Sequence, residues 1–393
     1  MSKYQLTFTL KQHTPIIHFQ AHQQGATLRA TEVKPKLDRF LIQKFKKENI
    51  DYKGWLVGNG EKPALNYKMR IEPVRDVKYY LFFSMPNQQR KANLKNYIER
   101  HYSPHVEVVA PSPYFANNDK VKFYSKKDEK ERRGKKDQVK EIDYDKLRFA
   151  LHTESNIRGL ITCFNKELLK HIEQSLPDFF LAHNFGTRQS KGFGSFTVKS
   201  INGQQVNFDR ERFKELFLFY KKIAGNKTSV SDKFKFIDDY YKRIRNKPGQ
   251  GGGLSLIRDY FKEKYGIIWE KPALTKKLIK GQNFEVNNVH FVRALLGLAG
   301  VHEYQQFRKS IKIEHAENDS DKKIERFQSP IMFKVIDDKI YLTVPKETHL
   351  NEIKGKEFCF YTIQTLQQAS KGEKLKLKVP KKFDLRDFLR KNT

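Results

Sequence analysis

Cysteine is nearly missing from this chain: there are two in 393 residues, Cys163 and Cys359, both in apolar surroundings. So few cysteines, so far apart, make neither a metal-ligand spacing nor a disulfide framework. They point instead to a reducing compartment, and a cytoplasmic location is expected. No run of about twenty apolar residues that would span a bilayer is present. The opening Met1-Ser2-Lys3-Tyr4-Gln5 alternates and has no apolar leader core, so no membrane partner is expected. Nor is there a regular internal period of the kind that marks a solenoid, a helix-turn-helix or zinc signature, or a legible Ser-His-Asp arrangement. Acidic residues are also in deficit, with 45 Asp and Glu against 77 Lys and Arg, a net charge of +32.

That excess of cations repels itself in a compact chain unless an anionic partner offsets it. Aromatic residues make up 13% of the chain, with 31 Phe and 18 Tyr, which argues against a merely disordered basic protein. Basic charge interleaved with rings suits single-stranded RNA, through phosphate pairing and base stacking. At this length the chain has room for two domains.

The most informative stretch is 184–196, Asn184-Phe185-Gly186-Thr187-Arg188-Gln189-Ser190-Lys191-Gly192-Phe193-Gly194-Ser195-Phe196. Its glycines permit backbone conformations closed to other residues and close approach of another chain. Arg188 and Lys191 supply charge, while Thr187, Gln189 and Ser190 supply neutral hydrogen-bonding groups. Phe193 offers either a face for a base or a plug for the core. A nucleotide P-loop is excluded, because Lys191 precedes Gly192 and a strand follows where a helix would be needed. The Rossmann fingerprint fails for the same reason. A basic glycine loop entering a strand suits a polyanion lying across a sheet; a glycine-rich hairpin with exposed charge is the plainer alternative.

Around this loop the pattern is mixed. Leu6, Phe8 and Leu10 alternate as a half-buried strand that ends at His13-Thr14-Pro15. Pro35 reads as a first helical residue, with Leu37, Phe40, Leu41 and Phe45 at helical spacing through Lys47. The basic residues Lys34, Lys36, Arg39 and Lys44 surround that helix start, where a phosphate could rest. Strands are expected at 67–71, 77–85, 106–109, 147–151 and 157–164, with helices at 92–100 and 166–176, the latter ended by Pro177. Residues 120–140, within a charged insertion at 118–142, hold ten Lys or Arg and four Asp or Glu and read as a mobile loop. Strand, helix, strands, helix and strand outline a ferredoxin-like or RNA-recognition sheet.

The second half begins with expected helices at 209–222, 231–246 and 254–265, the last two separated by Pro248-Gly249-Gln250-Gly251-Gly252-Gly253, which reads as a flexible linker or, at a helix start, as a phosphate site. A short apolar helix is expected at 291–298. A hairpin is expected around Asp337-Asp338, with further strands at 357–362 and 375–379 and a basic helix at 383–390. The fold class is therefore α+β. Two ferredoxin-like, RRM-like domains are expected, 1–203 and 204–393, the second carrying helical insertions.

Three pieces carry a family resemblance: the strand end His13-Thr14-Pro15, the helix entry Leu28-Arg29-Ala30-Thr31-Glu32-Val33-Lys34, and Gly186–Gly194. Together they resemble the RAMP superfamily of CRISPR-associated RNA-binding proteins. Within it the glycine loop is similar to that of the two-domain subunit of type III-B effectors. Arg293-Ala294-Leu295-Leu296-Gly297-Leu298 and Arg326-Phe327-Gln328-Ser329-Pro330-Ile331 are similar to the same subunit's second half. The chain departs from the family after Pro15, where His18-Phe19-Gln20-Ala21-His22 replaces the usual glycines, and in the charged insertion.

The resemblance implies a non-catalytic subunit in antiviral defence. Its implied partners are the guide RNA toward its 3′ end, single-stranded target RNA and neighbouring RAMP subunits. Arg29, Lys34, Lys36, Arg39 and residues 186–193 are the expected RNA contacts. Because related RAMP enzymes cut CRISPR repeat RNA without metal, the alternative is an endoribonuclease. It would use His13, His18 or His22 as general acid or base and Lys34 or Arg29 to stabilise the phosphorane. No cofactor or metal site is expected, although Asp238-Asp239, Asp337-Asp338 and Asp384 are carboxylates of the type that binds Mg²⁺.

Overall fold

The computed structural model describes residues 3–18, 28–58, 63–82, 106–109, 113, 149–246, 255–298, 300–304, 309–316, 324–365, 368–369 and 374–392. The expected helix at 92–100, the charged insertion, His22 and the glycine linker at 248–253 lie outside these residues. The chain forms an α+β structure of two compact units. The first combines residues 1–217, 222–238 and 333–341; the second combines 218–221, 239–332 and 342–393.

The first unit is built on strand β1 (Gln5–Gln12), helix α1 (Ala30–Lys47), strands β2 (Lys68–Ile71), β3 (Lys78–Phe82), β4 (Val106–Val109), β5 (Ala150–His152) and β6 (Ile157–Thr162), helix α2 (Lys166–Ala182), and strands β7 (Phe196–Ile201) and β8 (Gln204–Gln205). One sheet runs in the order β2-β6-β1-β7-β8 with antiparallel neighbours throughout. A smaller sheet has the order β4-β3-β5. Period-2 alternation turns Leu6, Phe8 and Leu10 of β1 inward. There they meet Leu37, Leu41 and Phe45 of α1 and Leu168, Ile172, Leu176 and Phe180 of α2. Phe8 lies over its cross-strand partner Gly159, where a β-carbon would fall 2.1 Å from the ring. Burying each such ring stabilises the unit by about 2–3 kcal/mol.

Prolines do not bound the helices as their positions suggest. α1 begins at Ala30, so Pro35 lies inside it, and α2 runs through Pro177 to Ala182. In α2 the last turn carries the fully buried Phe179 and Phe180, whose packing outweighs one lost backbone hydrogen bond. Asn165 caps the start of α2 by accepting from the Leu168 amide at 2.8 Å. A further correction concerns 209–222. Only Arg210–Glu215 is helical, capped by Asp209, and Phe217–Ala224 is a strand. The run Phe217-Leu218-Phe219-Tyr220 favours an extended backbone. The expected hairpin is present, with Met332–Ile336 and Lys339–Pro345 joined by Asp337 at φ 54°.

In the second unit, strands Val301–Tyr304, Lys309–His315, Glu357–Thr365 and Leu375–Lys378 form an antiparallel sheet in that order. The first two were not anticipated from sequence. Helix Leu256–Tyr265 is capped by Ser255 and ends at Gly266. Tyr260 and Phe261 pack against Phe383 and Phe388, the latter in the terminal helix Leu385–Asn392. The expected apolar helix at 291–298 is a 3-10 turn, Val292–Leu296. Beneath it Glu270, fully buried, pairs with Arg293 and accepts from the Val292 amide at 3.0 Å.

Candidate nucleic-acid interface

Loop 184–196 joins α2 to β7 and is held at many points. Asn184 Nδ2 donates to the Gln189 carbonyl at 2.8 Å and to the Phe333 carbonyl at 2.9 Å. The Thr187 amide donates to Ile17 O at 2.7 Å, and the Gly186 amide donates to the Glu32 carboxylate of α1. Residues Gln189–Lys191 make a 3-10 turn between two left-handed residues, Arg188 at φ 57° and Gly192 at φ 85°. Thr14 fastens the far side: its hydroxyl donates to Gly192 O at 2.6 Å and accepts from the Ser195 amide at 2.9 Å. The Gly194 amide donates to Pro15 O at 2.9 Å. Two stretches that sequence could only name separately, 13–15 and 186–194, thus form one clamp. Arg188 holds a left-handed backbone without being glycine, at a cost of about 1–2 kcal/mol.

This bracing reassigns several expected contacts. Phe193 is fully buried, stacked on Phe234 at 4.1 Å and edge-on to Phe82 at 5.1 Å. It is the core plug and has no face for a base. The amides of Gly186, Thr187, Gly192, Gly194 and Ser195 all donate to protein oxygens, so they do not form a backbone cradle for phosphate. Lys191 is buried as well. Lys36 is a brace: its ammonium donates to Asn184 O and Gln189 Oε1 and lies 4.9 Å from the Phe185 ring centre. Burial pushes its pKa down, and the Glu32 carboxylate opposes that. Lys34 is bound to Asp38 at 2.7 Å and to Leu65 O at 3.0 Å. Arg39 is exposed, while Arg29, Arg188, Gln189 and Ser190 are half-buried.

Of the N-terminal histidines, His13 and His18 lie among the described residues, and both are buried. His13 has a side chain only 1% exposed. Its Nδ1 accepts from the Asp337 amide at 2.9 Å, which leaves Nε2–H to donate to Thr197 Oγ1 at 2.8 Å. Burial lowers its pKa, against the Asp337 carboxylate, which raises it. That carboxylate is itself held well below the usual range by His13 and by Lys11, 2.7 Å away.

Sequence reading passed over Lys334. It is fully buried and donates to the carbonyls of Phe180, His183 and Phe196 at 2.7, 2.8 and 3.2 Å. Burial drives its pKa down. Yet three carbonyl acceptors, two of them at the negative end of α2, match the three protons of an ammonium. A lone lysine in the apolar run Ile331-Met332-Phe333-Lys334-Val335-Ile336 was the available signal. Among the described residues no three His, Cys, Asp or Glu side chains converge as a metal site. Asp238 is buried and Asp239 exposed, so the two carboxylates point apart. Asp338 accepts from the Asn226 amide and Asp384 from the Asp387 amide. Among the described residues no helix is long and apolar enough to cross a membrane.

Comparison with known proteins gives this geometry a family. The model of the Cmr1 N-terminal domain matches residues 3–248 and that of the Cmr1 C-terminal domain matches residues 253–393. No curated protein matches the chain. Among solved structures, Cmr1 from Pyrococcus furiosus in its apo form is 12% identical, covering 88% of this chain and 89% of its own at a TM-score of 0.40. A chain of the type III-B Cmr-beta complex bound to cognate target RNA and AMPPnP is 10% identical, covering 89% and 97% at a TM-score of 0.38. A chain of Cmr-beta bound to cognate target RNA is 14% identical, covering 50% of this chain at a TM-score of 0.29; the match spans only 59% of that chain. The two domain models together take in nearly every residue, including the clamp of Thr14 on the glycine loop, and the chain therefore belongs to the Cmr1 family of RAMP proteins.

Proposed function

We propose that this chain is a non-catalytic RNA-binding subunit of a type III-B CRISPR effector complex. In this reading it contacts guide RNA toward its 3′ end and single-stranded target RNA, alongside other RAMP subunits. The first unit supports the reading through its strand order: β1, β2, β6 and β7 lie as β2-β6-β1-β7, all antiparallel. That order suits a ferredoxin-like domain in which α1 and α2 would be the crossovers. The observation that carries the proposal is the clamped glycine loop against the start of α1, in a chain of net charge +32. In this reading the half-buried Arg29 and Arg188 and the exposed Arg39 pair phosphates, with Ser190 as a neutral donor beside them. The buried, doubly committed imidazole of His13 supports the absence of cleavage chemistry in this reading.

The test is titration of the full chain with labelled single-stranded RNA over a range of salt. If about six phosphates are neutralised, log affinity falls against log salt with a slope of about −4. Affinity independent of salt refutes RNA binding through charge. Discrete, EDTA-resistant cleavage of repeat RNA that disappears in His13→Ala refutes the non-catalytic reading.

A further inference from the structure

Two clefts on the described surface are of similar size but differ in electrostatic character. In the first unit a cleft of about 400 Å³ is lined by Lys11, Lys199 and Arg212, but also by Glu154, Asp209 and Asp337. Its cations already have partners: Lys11 pairs with Asp337 at 2.7 Å, Arg212 with Asp178 at 2.5 Å, and Lys199 meets Asn156 Oδ1 at 3.3 Å. An anion entering there would have to displace carboxylates.

The second unit carries a cleft of about 370 Å³ whose polar lining is Lys378, Lys381, Lys382, His290, Asn288 and Tyr265, with no carboxylate. The carboxylate opposite Lys378 across the strand pair, Glu357, does not line it. All three lysines are exposed, and none forms an ion pair among the described residues. Three ammonium groups within five residues repel one another unless an anion sits between them.

The backbone holding them is firm. Lys378 O accepts from the Phe291 amide at 2.9 Å, the Val379 amide donates to Lys356 O at 2.8 Å, and Val379 O accepts from the Gly355 amide at 3.1 Å. Pro380 fixes the next φ. The stem of Lys381 crosses Gly355, where a β-carbon would come within 3.1 Å of its Cγ. On the facing side the Asn288 side chain is tied to Gly266 O at 2.6 Å, which steadies the segment bearing His290.

We propose that this cleft is a phosphate-binding site of the second unit. It takes a phosphate group on the three lysines, with the rings of Tyr265 and His290 beside it to meet an attached base or ribose. The phosphate comes either from a single-stranded RNA backbone or from a free nucleotide.

The experiment compares the full-length chain with two triple variants, Lys378, Lys381 and Lys382 all changed to Gln, or all to Arg. Fluorescence anisotropy with a labelled 20-nucleotide oligouridylate is one arm; calorimetric titration with metal-free ATP is the other. For RNA, the Gln variant is expected to bind about tenfold more weakly near 150 mM salt. Its salt slope should shrink by about 2, the share of three phosphates on a single strand. For a free nucleotide, its ATP heat disappears while RNA binding persists. In either case the Arg variant, which keeps the charge, retains most of the binding. The site is overturned if the Gln variant equals the wild type in both arms, or if the Arg variant is lost together with it. Failure of the wild type to bind RNA would instead sink the proposed function, and the ATP arm would still decide this site.

Discussion

Replacing Gly194 by alanine would set a β-carbon 2.0 Å from the Phe185 carbonyl oxygen and 2.8 Å from its carbon, at a residue whose φ is 65°. Neither atom is the end of a flexible side chain, so the backbone itself must move. That movement disturbs Gly194 N to Pro15 O and Phe185 N to Gly194 O, each 2.9 Å, together with the Thr14 bridge beside them. Left-handed strain contributes about 1 kcal/mol, and loss of two or three hydrogen bonds about 1 kcal/mol each. The expected loss is therefore roughly 3–4 kcal/mol. Gly203→Ala is the internal control, because Gly203 also has positive φ, 83°, but nothing lies within 4 Å of its added carbon. It should cost only the strain, about 1 kcal/mol. Urea denaturation followed by the fluorescence of Trp55, the tryptophan of the first unit, in a Trp269→Phe background reads both. Equal destabilisation by the two variants would refute the claim that close approach, and not φ alone, demands glycine at 194.

Two further predictions follow from the same unit. His183 is packed against Phe179 and lies near Lys36, Arg39 and Lys334; burial is the main reason its pKa falls to about 4. Its contribution is complete above the unfolded value near 6.5 and is lost as pH falls toward 4, by at most about 1.4 kcal/mol per pH unit. His183→Gln should flatten the pH dependence of the denaturation midpoint in that window, and an unaltered slope would contradict an imidazole held neutral in the fold. Phe193 and Arg188 should separate stability from binding. Phe193→Ala should cost about 3–5 kcal/mol in denaturation, with RNA affinity preserved where the chain is folded. Arg188→Ala should cost less stability than Phe193→Ala and reduce the salt slope by about 0.7. The reverse pattern would restore the stacking role to Phe193.

The sequence alone determined what depends on local pattern and on total charge. Alternation located β1, β2, β4 and β6, helical spacing located α1, and the Asp337 turn marked its hairpin. The cation excess bounded the class of partner, and the order of the glycine loop carried the family. It misplaced helix ends at Pro35 and Pro177: before Pro35 the buried Val33 extends α1, and beyond Pro177 the buried rings of Phe179 and Phe180 outweigh one lost hydrogen bond. It also mistook 217–222 for helix, since a short apolar run carries both periods. Only the tertiary structure decided which side chains of the loop face outward. Long-range contacts set that: Phe234 and Phe82 close over Phe193, Asn184 and Gln189 capture Lys36, and Lys334, 154 residues from Phe180, caps the carbonyls at the end of α2. A basic residue and a ring look alike in sequence whether they meet solvent or close a core. The difference is made by residues brought together through folding, whose separation along the chain leaves no local trace.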